Sequence, residues 1–402
     1  MTWLRFPPIG LPILLTSCLL AFGCAGPSAM ENTSAPEAQS PIDALVAGGG
    51  TDGFARAEVV REFVFPEDHG PHPDFQTEWW YVTGHLETDS GRRFGLQWTI
   101  FRRALSPEMG ERGSDWASRQ LYMGHMALSD IEGEKHLAEE RFTRGAAGLA
   151  GAEIRPFRVW LEDWSAERAD PEAGDPDSIW PMRLRSSADT DKGAFALDIE
   201  LDPQKPHVLQ GDRGLSWKHE GGASYYYSFT RIDAAGSVEL DGERFDVTGS
   251  AWLDREWSTS TLSDEQAGWD WFSLQLEDGR DLMYYQLRLK DGDAHPMSAG
   301  VLVAPDGTST KLERADVQLE VLDHWTSPRS QGRYPVRWRL IAPKYDIDLE
   351  VEPLFKDQEL DIAFRYWEGA VDVRADGQKT GRGFVELVGY ADEASESARG
   401  VG

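Results

Sequence analysis

The sequence has almost no cysteine. Its two, Cys18 and Cys24, both fall within the first 24 residues, so neither a disulfide framework nor a Cys-type zinc cluster can be built. Positive charge is scarce: 40 Lys and Arg stand against 69 Asp and Glu, a net charge of −29. Phosphate contacts need a Lys/Arg surface, which argues against a nucleic-acid partner, and the balance fits a soluble, self-repelling surface. The N-terminal apolar stretch, Ile9 to Phe22, is about 14 residues long, too short to span a bilayer as a helix. Helical periodicity is nearly absent, its best candidate being the short Glu132–Arg141. Missing too are a G-x-S-x-G nucleophile elbow, an H-E-x-x-H zinc helix and a P-loop, and the G-x-G-x-x-G string at Gly48–Gly53 falls in a Gly-rich stretch with no strand before it. Nucleotide cofactors and the standard serine and metal hydrolases are thereby struck off, and the expectation is no cofactor and no metal.

Aromatic residues and glycine are plentiful: 16 Trp, 17 Phe, 11 Tyr and 40 Gly in 402 residues. Together they suggest short strands, tight turns and large flat side chains to line a cavity. At roughly 100–200 residues per domain, two domains are the default.

The N-terminus carries Arg5 ahead of the apolar stretch and ends at Gly23-Cys24 instead of an A-x-A cleavage site. That pattern resembles the lipobox of bacterial lipoproteins. Residues 1–24 therefore read as a lipoprotein signal peptide with Cys24 lipidated; Cys18, after Leu15-Thr16-Ser17, is the competing site. Residues 25–56, rich in Ala, Ser, Pro and Gly, read as a flexible tether. The expected place is the bacterial cell envelope, lipid-anchored and facing the periplasm, in the outer membrane rather than the inner. Glu162–Asp177 reads as an acidic surface loop, and residues 393–402 as a frayed tail.

Between these ends lies a chain of strands. Glu78–Glu87 and Arg93–Arg102 alternate on either side of Asp89-Ser90-Gly91. Trp269–Glu277 and Asp281–Leu289 do so around Asp278-Gly279, and Tyr334–Ile341 with Tyr345–Val351 makes another pair. Even spacing with Gly-marked turns predicts an all-β sandwich or barrel.

Alternate residues of a strand point to opposite sides. Glu78, Trp80 and Val82 share one face; Trp79, Tyr81, Thr83 and His85 share the other. Glu78 is either a strand-end ion-pair partner or a buried acid. In Ala251–Ser258, Trp252, Asp254 and Glu256 share a face. Carboxylates at i and i+2 have Cα atoms roughly 6–7 Å apart, and in an aromatic pocket they do not both ionise easily. One then keeps a proton at neutral pH and can protonate an alkene or a leaving group. The alternative is an outward acidic face paired with arginine. Tyr225–Arg231 sets Arg231 in line with Tyr227 and Phe229. Trp269 and Trp271 share a face, and Tyr285 joins them as a candidate on the partner strand. His125 sits in the apolar Met123–Leu128 as a possible acid–base group. His69 and His72, in a Pro-containing stretch, read as surface loop in preference to metal ligands.

Phe75-Gln76-Thr77-Glu78-Trp79-Trp80-Tyr81-Val82-Thr83-Gly84-His85-Leu86 resembles the entry motif of the carotenoid 1,2-hydratase and AttH-like family. Tyr226-Tyr227-Ser228, Gly249–Trp257, Gly268–Phe272 and Tyr366–Val371 resemble it too, in order, from about Glu58 to Tyr390. The resemblance implies two tandem lipocalin-like β-barrel domains, residues 57–239 and 240–392. Secreted members carry the label of predicted hydrolases. The hydratase branch adds water across a terminal isoprenoid double bond, fungal relatives catalyse Diels–Alder cyclisations, and the AttH-like branch is often encoded beside ABC-transporter permeases. The lipobox sets this chain apart from the hydratase branch, so an apolar ligand in a lipocalin-like cavity is expected in place of a carotenoid.

Three functions remain open at this stage. In the first, a cofactor-free hydratase or hydrolase acts on an apolar isoprenoid or lipid-like substrate, with Asp254 or Glu256 as acid and Trp79, Trp80, Tyr81, Tyr227, Arg231, Trp252, Trp269, Trp271 and Tyr285 around it. The second is a lipid-binding module or ABC-transporter accessory, and the third a structural lipoprotein. A monomer bound to the membrane by its lipid is expected in each.

Overall fold

Alternation with a period of two, broken by Gly and Asp turns, shapes the whole chain. The computed structural model describes residues 50–108, 118–172, 174–259 and 262–391. The segment expected to be a signal peptide, with Cys18 and Cys24, and most of the expected tether and tail lie outside them. The first seven strands are β1 (Thr77–Glu87), β2 (Arg93–Ala104), β3 (Gln120–Asp130), β4 (Lys135–Arg144), β5 (Ala150–Ile154), β6 (Phe157–Leu161) and β7 (Trp164–Arg168). Next come β8 (Met182–Thr190), β9 (Gly193–Pro203), β10 (Val208–Leu209), β11 (Leu215–His219), β12 (Gly222–Leu240) and β13 (Glu243–Ser258). These form one antiparallel sheet, in which β1 lies between β2 and the distant β13.

A second antiparallel sheet begins with β14 (Gln266–Leu276), β15 (Asp281–Leu289), β16 (Ala299–Val303), β17 (Ser309–Glu313) and β18 (Gln318–Thr326). It continues through β19 (Arg333–Ala342), β20 (Ile347–Pro353), β21 (Glu359–Leu360), β22 (Tyr366–Ala375) and β23 (Gln378–Val388). The last strand, β23, sits in the middle, between β14 and β22. The fold is all-β, each sheet curled as a barrel or half-barrel.

Three local readings change. Glu132–Arg141 is no helix: Lys135–Arg144 pairs along its length with β3, and pairing outweighs a weak helical period. The acidic stretch from Glu162 is not all loop, because Trp164 is fully buried and draws Trp164–Arg168 into the sheet as β7. Strand β13, beginning at Glu243, completes the first sheet, so the change of sheet falls between Ser258 and Gln266 and not near Leu240.

The first sheet wraps around Trp80, Trp98, Trp164, Leu184 and Ile199, the second around Phe272, Trp338 and Trp367. A third apolar cluster, with Tyr81, Tyr226, Trp252, Trp271 and Phe384, lies where the outer faces of the two sheets meet. Close approach there needs a residue without a Cβ: one added at Gly95 of β2 would lie 2.9 Å from Ala370 Cβ of β22. Polar ties reinforce the contact. Asp281 of β15 receives Lys205 Nζ at 2.7 Å and Arg231 Nη2 at 2.6 Å, and Gln275 donates to the carbonyls of Thr230 and Ala251 at 2.8 and 3.0 Å.

Candidate active site

The barrel interiors hold the two apolar cores, and the cavity that gathers the candidate residues lies outside them. A cavity of about 170 Å³ opens between the two sheets. Its first wall comes from alternate residues of three adjacent strands: Trp79 and Tyr81 of β1, Asp254 and Glu256 of β13, and Ser224 and Tyr226 of β12. Register fixes their juxtaposition, since Tyr81 is the Cα partner of Asp254, and Trp79 and Tyr226 are both partners of Glu256. The facing wall carries Trp269 and Trp271 of β14, Tyr285 of β15 and Glu386 of β23, with Lys218 of β11 at one side.

Asp254 is the most heavily engaged group. Tyr226 and Ser228 donate their hydroxyls to its two oxygens, each at 2.5 Å, and Trp252 donates its indole N–H to Oδ1 at 2.7 Å. Burial penalises the charged form more than these donors favour it, and with the help of nearby Glu256 the carboxyl is pushed up to about 7. Glu256 accepts a hydrogen bond from Ser224 and an ion pair from Lys218 Nζ at 3.1 Å. Burial alone would depress the Lys218 ammonium, but the charge of Glu256 holds it above its ordinary value. Across the cavity, Glu386 accepts the Trp269 indole N–H at 2.5 Å and is likewise pushed up to about 7, by burial first and by Asp254 and Glu256 second. Behind the wall, Tyr81 donates to Glu368, whose carboxyl burial raises well above the usual range, with Glu386 adding to the effect.

The sequence-derived candidates divide by face. Asp254, Glu256, Trp79, Tyr81, Trp269, Trp271 and Tyr285 are brought together around the cavity. Trp252 reaches it through its bond to Asp254. The others are not brought there. Glu78 and Trp80 point into the first barrel: Glu78 is fully buried against Arg102, and Arg255 reaches its Oε2 at 3.1 Å. Burial would raise that carboxyl, but Arg102, His72 and Arg255 hold it well below the usual range. Trp80 stacks under the Arg255 guanidinium at 3.9 Å. Tyr227 faces the same interior, its hydroxyl 2.6 Å from His69 Nδ1; its neighbour Tyr226 is the one on the cavity face. Arg231 leaves the line of Tyr227 because the β12–β13 register shifts between Phe229 and Ile232, and it pairs with Asp281. His125 lies behind the wall, its Nδ1 3.0 Å from the Tyr366 hydroxyl and its Nε2 3.2 Å from Glu140.

His69 and His72 are not on a surface loop. His72 sits between Asp68 and Glu78 at 3.1 Å from each, and His69 is buried. Among the described residues no three His, Cys, Asp or Glu side chains are grouped to hold a metal ion. The groups that sequence reasoning passed over are Tyr226, Lys218, Glu386, Glu368 and Tyr366. Tyr226 was available from alternation with Ser228; Glu386 depends on the pairing of β23 with distant β14, and Glu368 and Tyr366 on contacts with the first sheet.

Fold and site together define a two-sheet lipocalin-like protein whose buried carboxyls face an aromatic cavity between the sheets. The AttH-like family profile matches residues 56–390, and the chain belongs to that family. It is similar to the crystal structure of an AttH protein from Nitrosomonas europaea, with 37% identity over 84% of this chain and 99% of that one, at a TM-score of 0.74. It is also similar in fold to kievitone hydratase from Nectria haematococca, with 14% identity over 84% of this chain and 97% of that one, at a TM-score of 0.59. No curated protein sequence matches it.

Proposed function

We propose that this protein is a cofactor-free acid–base enzyme, a hydratase or hydrolase, acting on an apolar isoprenoid or lipid-like substrate held between the two sheets. One observation carries the reading: a carboxyl pushed up to about 7, Asp254, lines a cavity whose walls also carry Trp79, Tyr226, Trp269, Trp271 and Tyr285. An acid that keeps its proton at neutral pH can deliver it to an alkene carbon or a leaving oxygen, and such a positioned acid contributes about 10²–10⁴ in rate. In the hydration form, the Asp254 O–H bond breaks as a C–H bond forms, water adds to the resulting cation, and the proton that water sheds restores the acid. The aromatic walls steady the cation meanwhile, by about 0.5–2 kcal/mol for each well-placed ring. The likeness to kievitone hydratase concerns the fold, so the chemistry rests on the site.

The lipobox-like ending at Gly23-Cys24 supports an envelope lipoprotein facing the periplasm, for which an ABC-transporter permease is a fitting neighbour. A second reading has its own support. Three donors already satisfy Asp254, as suits a structural acid in a lipid-binding module without catalysis. Incubation with extracted envelope lipids and short prenyl alkenes in H₂¹⁸O separates the two. Incorporation of ¹⁸O by the wild type and its loss in Asp254→Asn supports the enzyme; a ligand retained in native mass spectrometry with no ¹⁸O in any product supports the carrier.

A further inference from the structure

The cavity is short of positive charge. Asp254, Glu256 and Glu386 line it, and Glu368 stands just behind, bonded to Tyr81. Among the described residues the one ammonium on its walls, Lys218, is taken by Glu256 at 3.1 Å. Two acids on facing sheets, Asp254 and Glu386, therefore have hydrogen-bond donors but no cation. The donors suit the ionised form: Tyr226, Ser228 and Trp252 on Asp254, and Trp269 on Glu386, each give a proton to a carboxylate oxygen. Between them stand the rings of Trp79, Tyr226, Trp269, Trp271 and Tyr285, whose faces attract cations. The structure already contains one instance, with Lys218 Nζ 4.3 Å from the Tyr285 centroid and 5.2 Å from that of Tyr226.

Size narrows the ligand further. A cavity of about 170 Å³ compares with the roughly 150 Å³ that admits one benzene ring, so the charged end of the ligand is compact. An anion meets three carboxyls there, and a neutral molecule leaves Asp254 and Glu386 without a counter-charge.

We propose that the space between the sheets is a binding site for a compact organic cation, a quaternary or protonated tertiary ammonium on a ring-sized apolar body. This rests on the acid–base reading of the same cavity, because such an ammonium has the charge and bulk of the carbocation formed in hydration. Binding is coupled to protons. Asp254 is faced by Tyr81, Tyr226, Ser228, Trp252 and Glu256, with Lys218 beyond Glu256, and Glu386 by Trp269, Trp271, Glu368 and Tyr366. None of these offers either acid a direct cation, so an arriving ammonium favours ionisation of both, and the protons they hold leave for solvent.

The test is calorimetry of the full chain with benzyltrimethylammonium, benzyl alcohol and phenylacetate at pH 7. Each titration is run in two buffers of different protonation enthalpy and at two salt concentrations. The expected result is one site, with the cation bound about tenfold or more tighter than the alcohol, the anion not bound, and about one proton released with the cation only. Asp254→Asn and Glu386→Gln should each reduce the proton release and the preference for the cation while benzyl alcohol binds as before. Equal affinity for cation and alcohol overturns the proposal. So does absence of cation binding, or binding at many sites that salt abolishes without proton release, which is attraction to an acidic surface. If ¹⁸O incorporation depends on Asp254 while the cation shows no preference, this inference fails alone. If the cation binds with proton release and no substrate gains ¹⁸O, the enzyme reading fails alone.

Discussion

Tyr226 links the two sheets to one acid: its hydroxyl donates to Asp254 Oδ2 at 2.5 Å and accepts the Trp271 indole N–H at 3.2 Å. Tyr226 and Asp254 belong to the first sheet and Trp271 to the second, so the environment of the acid is completed only when both sheets are in place. The hydroxyl lowers the Asp254 pKa against the larger effect of burial. Phenylalanine at this position removes that restraint. Tyr226→Phe should extend the range over which the acid stays protonated, moving the alkaline limb of the pH–rate profile upward. Loss of the hydroxyl's two buried hydrogen bonds should also cost about 1–3 kcal/mol of stability for each partner left unsatisfied. An unmoved limb would mean that Asp254 is not the acid being titrated.

Stability should carry the signature of the two raised carboxyls. Their ordinary values are 3.8 for Asp254 and 4.5 for Glu386, and in the folded protein both are pushed up to about 7. Below the lower values folded and unfolded chains are both protonated, and this contribution to stability is fully present. As the pH rises toward 7 the unfolded chain releases protons that the folded one keeps, so stability is lost across that window and levels off above it. Asp254→Asn/Glu386→Gln has nothing to titrate. Its stability relative to wild type should rise between pH 4 and 7 by several kcal/mol, since about 1.4 kcal/mol per pH unit of displacement accrues at each of the two acids. Melting curves that stay parallel for the two proteins across that range would refute the shifts.

Glu78 should behave in the opposite way. It is buried between Arg102 and Arg255, with His72 at 3.1 Å, on the face turned from the cavity. Glu78→Gln leaves two buried guanidinium groups without their carboxylate, a loss of about 3–5 kcal/mol. Urea denaturation should show that loss, while turnover per folded molecule stays near wild type. A fully stable variant with no turnover would return Glu78 to the chemistry.

Anchorage is tested at Cys24. With Cys18 intact, Cys24→Ser should move the protein from the membrane fraction to soluble or unprocessed forms. An acylated mature product from that variant would make Cys18 the lipid site.

Alternation made much of the site legible. Trp252, Asp254 and Glu256 share a face because strands have a period of two, and the same rule sets Trp79 and Tyr81 on the cavity side. It equally separates Tyr226 from Tyr227, yet an aromatic run reads the same on both faces until one is known to meet another sheet. Arg231 was misplaced by a register shift that no local pattern announces. The place of Glu386 beside Trp269 follows from β23 inserting between β14 and β22, a pairing across more than 100 residues. Location was the deepest omission. A lipocalin-like barrel suggests a cup, whereas the candidate residues meet in a pocket between the two sheets.

The central position of β23 bears on biosynthesis. A chain emerging from the ribosome has every strand of the first sheet by Ser258, but the second sheet lacks its middle until Gln378–Val388 is made. Until then the sheet that covers Tyr81, Tyr226 and Trp252 is incomplete. A nascent or truncated chain ending before Gln378 is accordingly a client for holding chaperones and prone to clump.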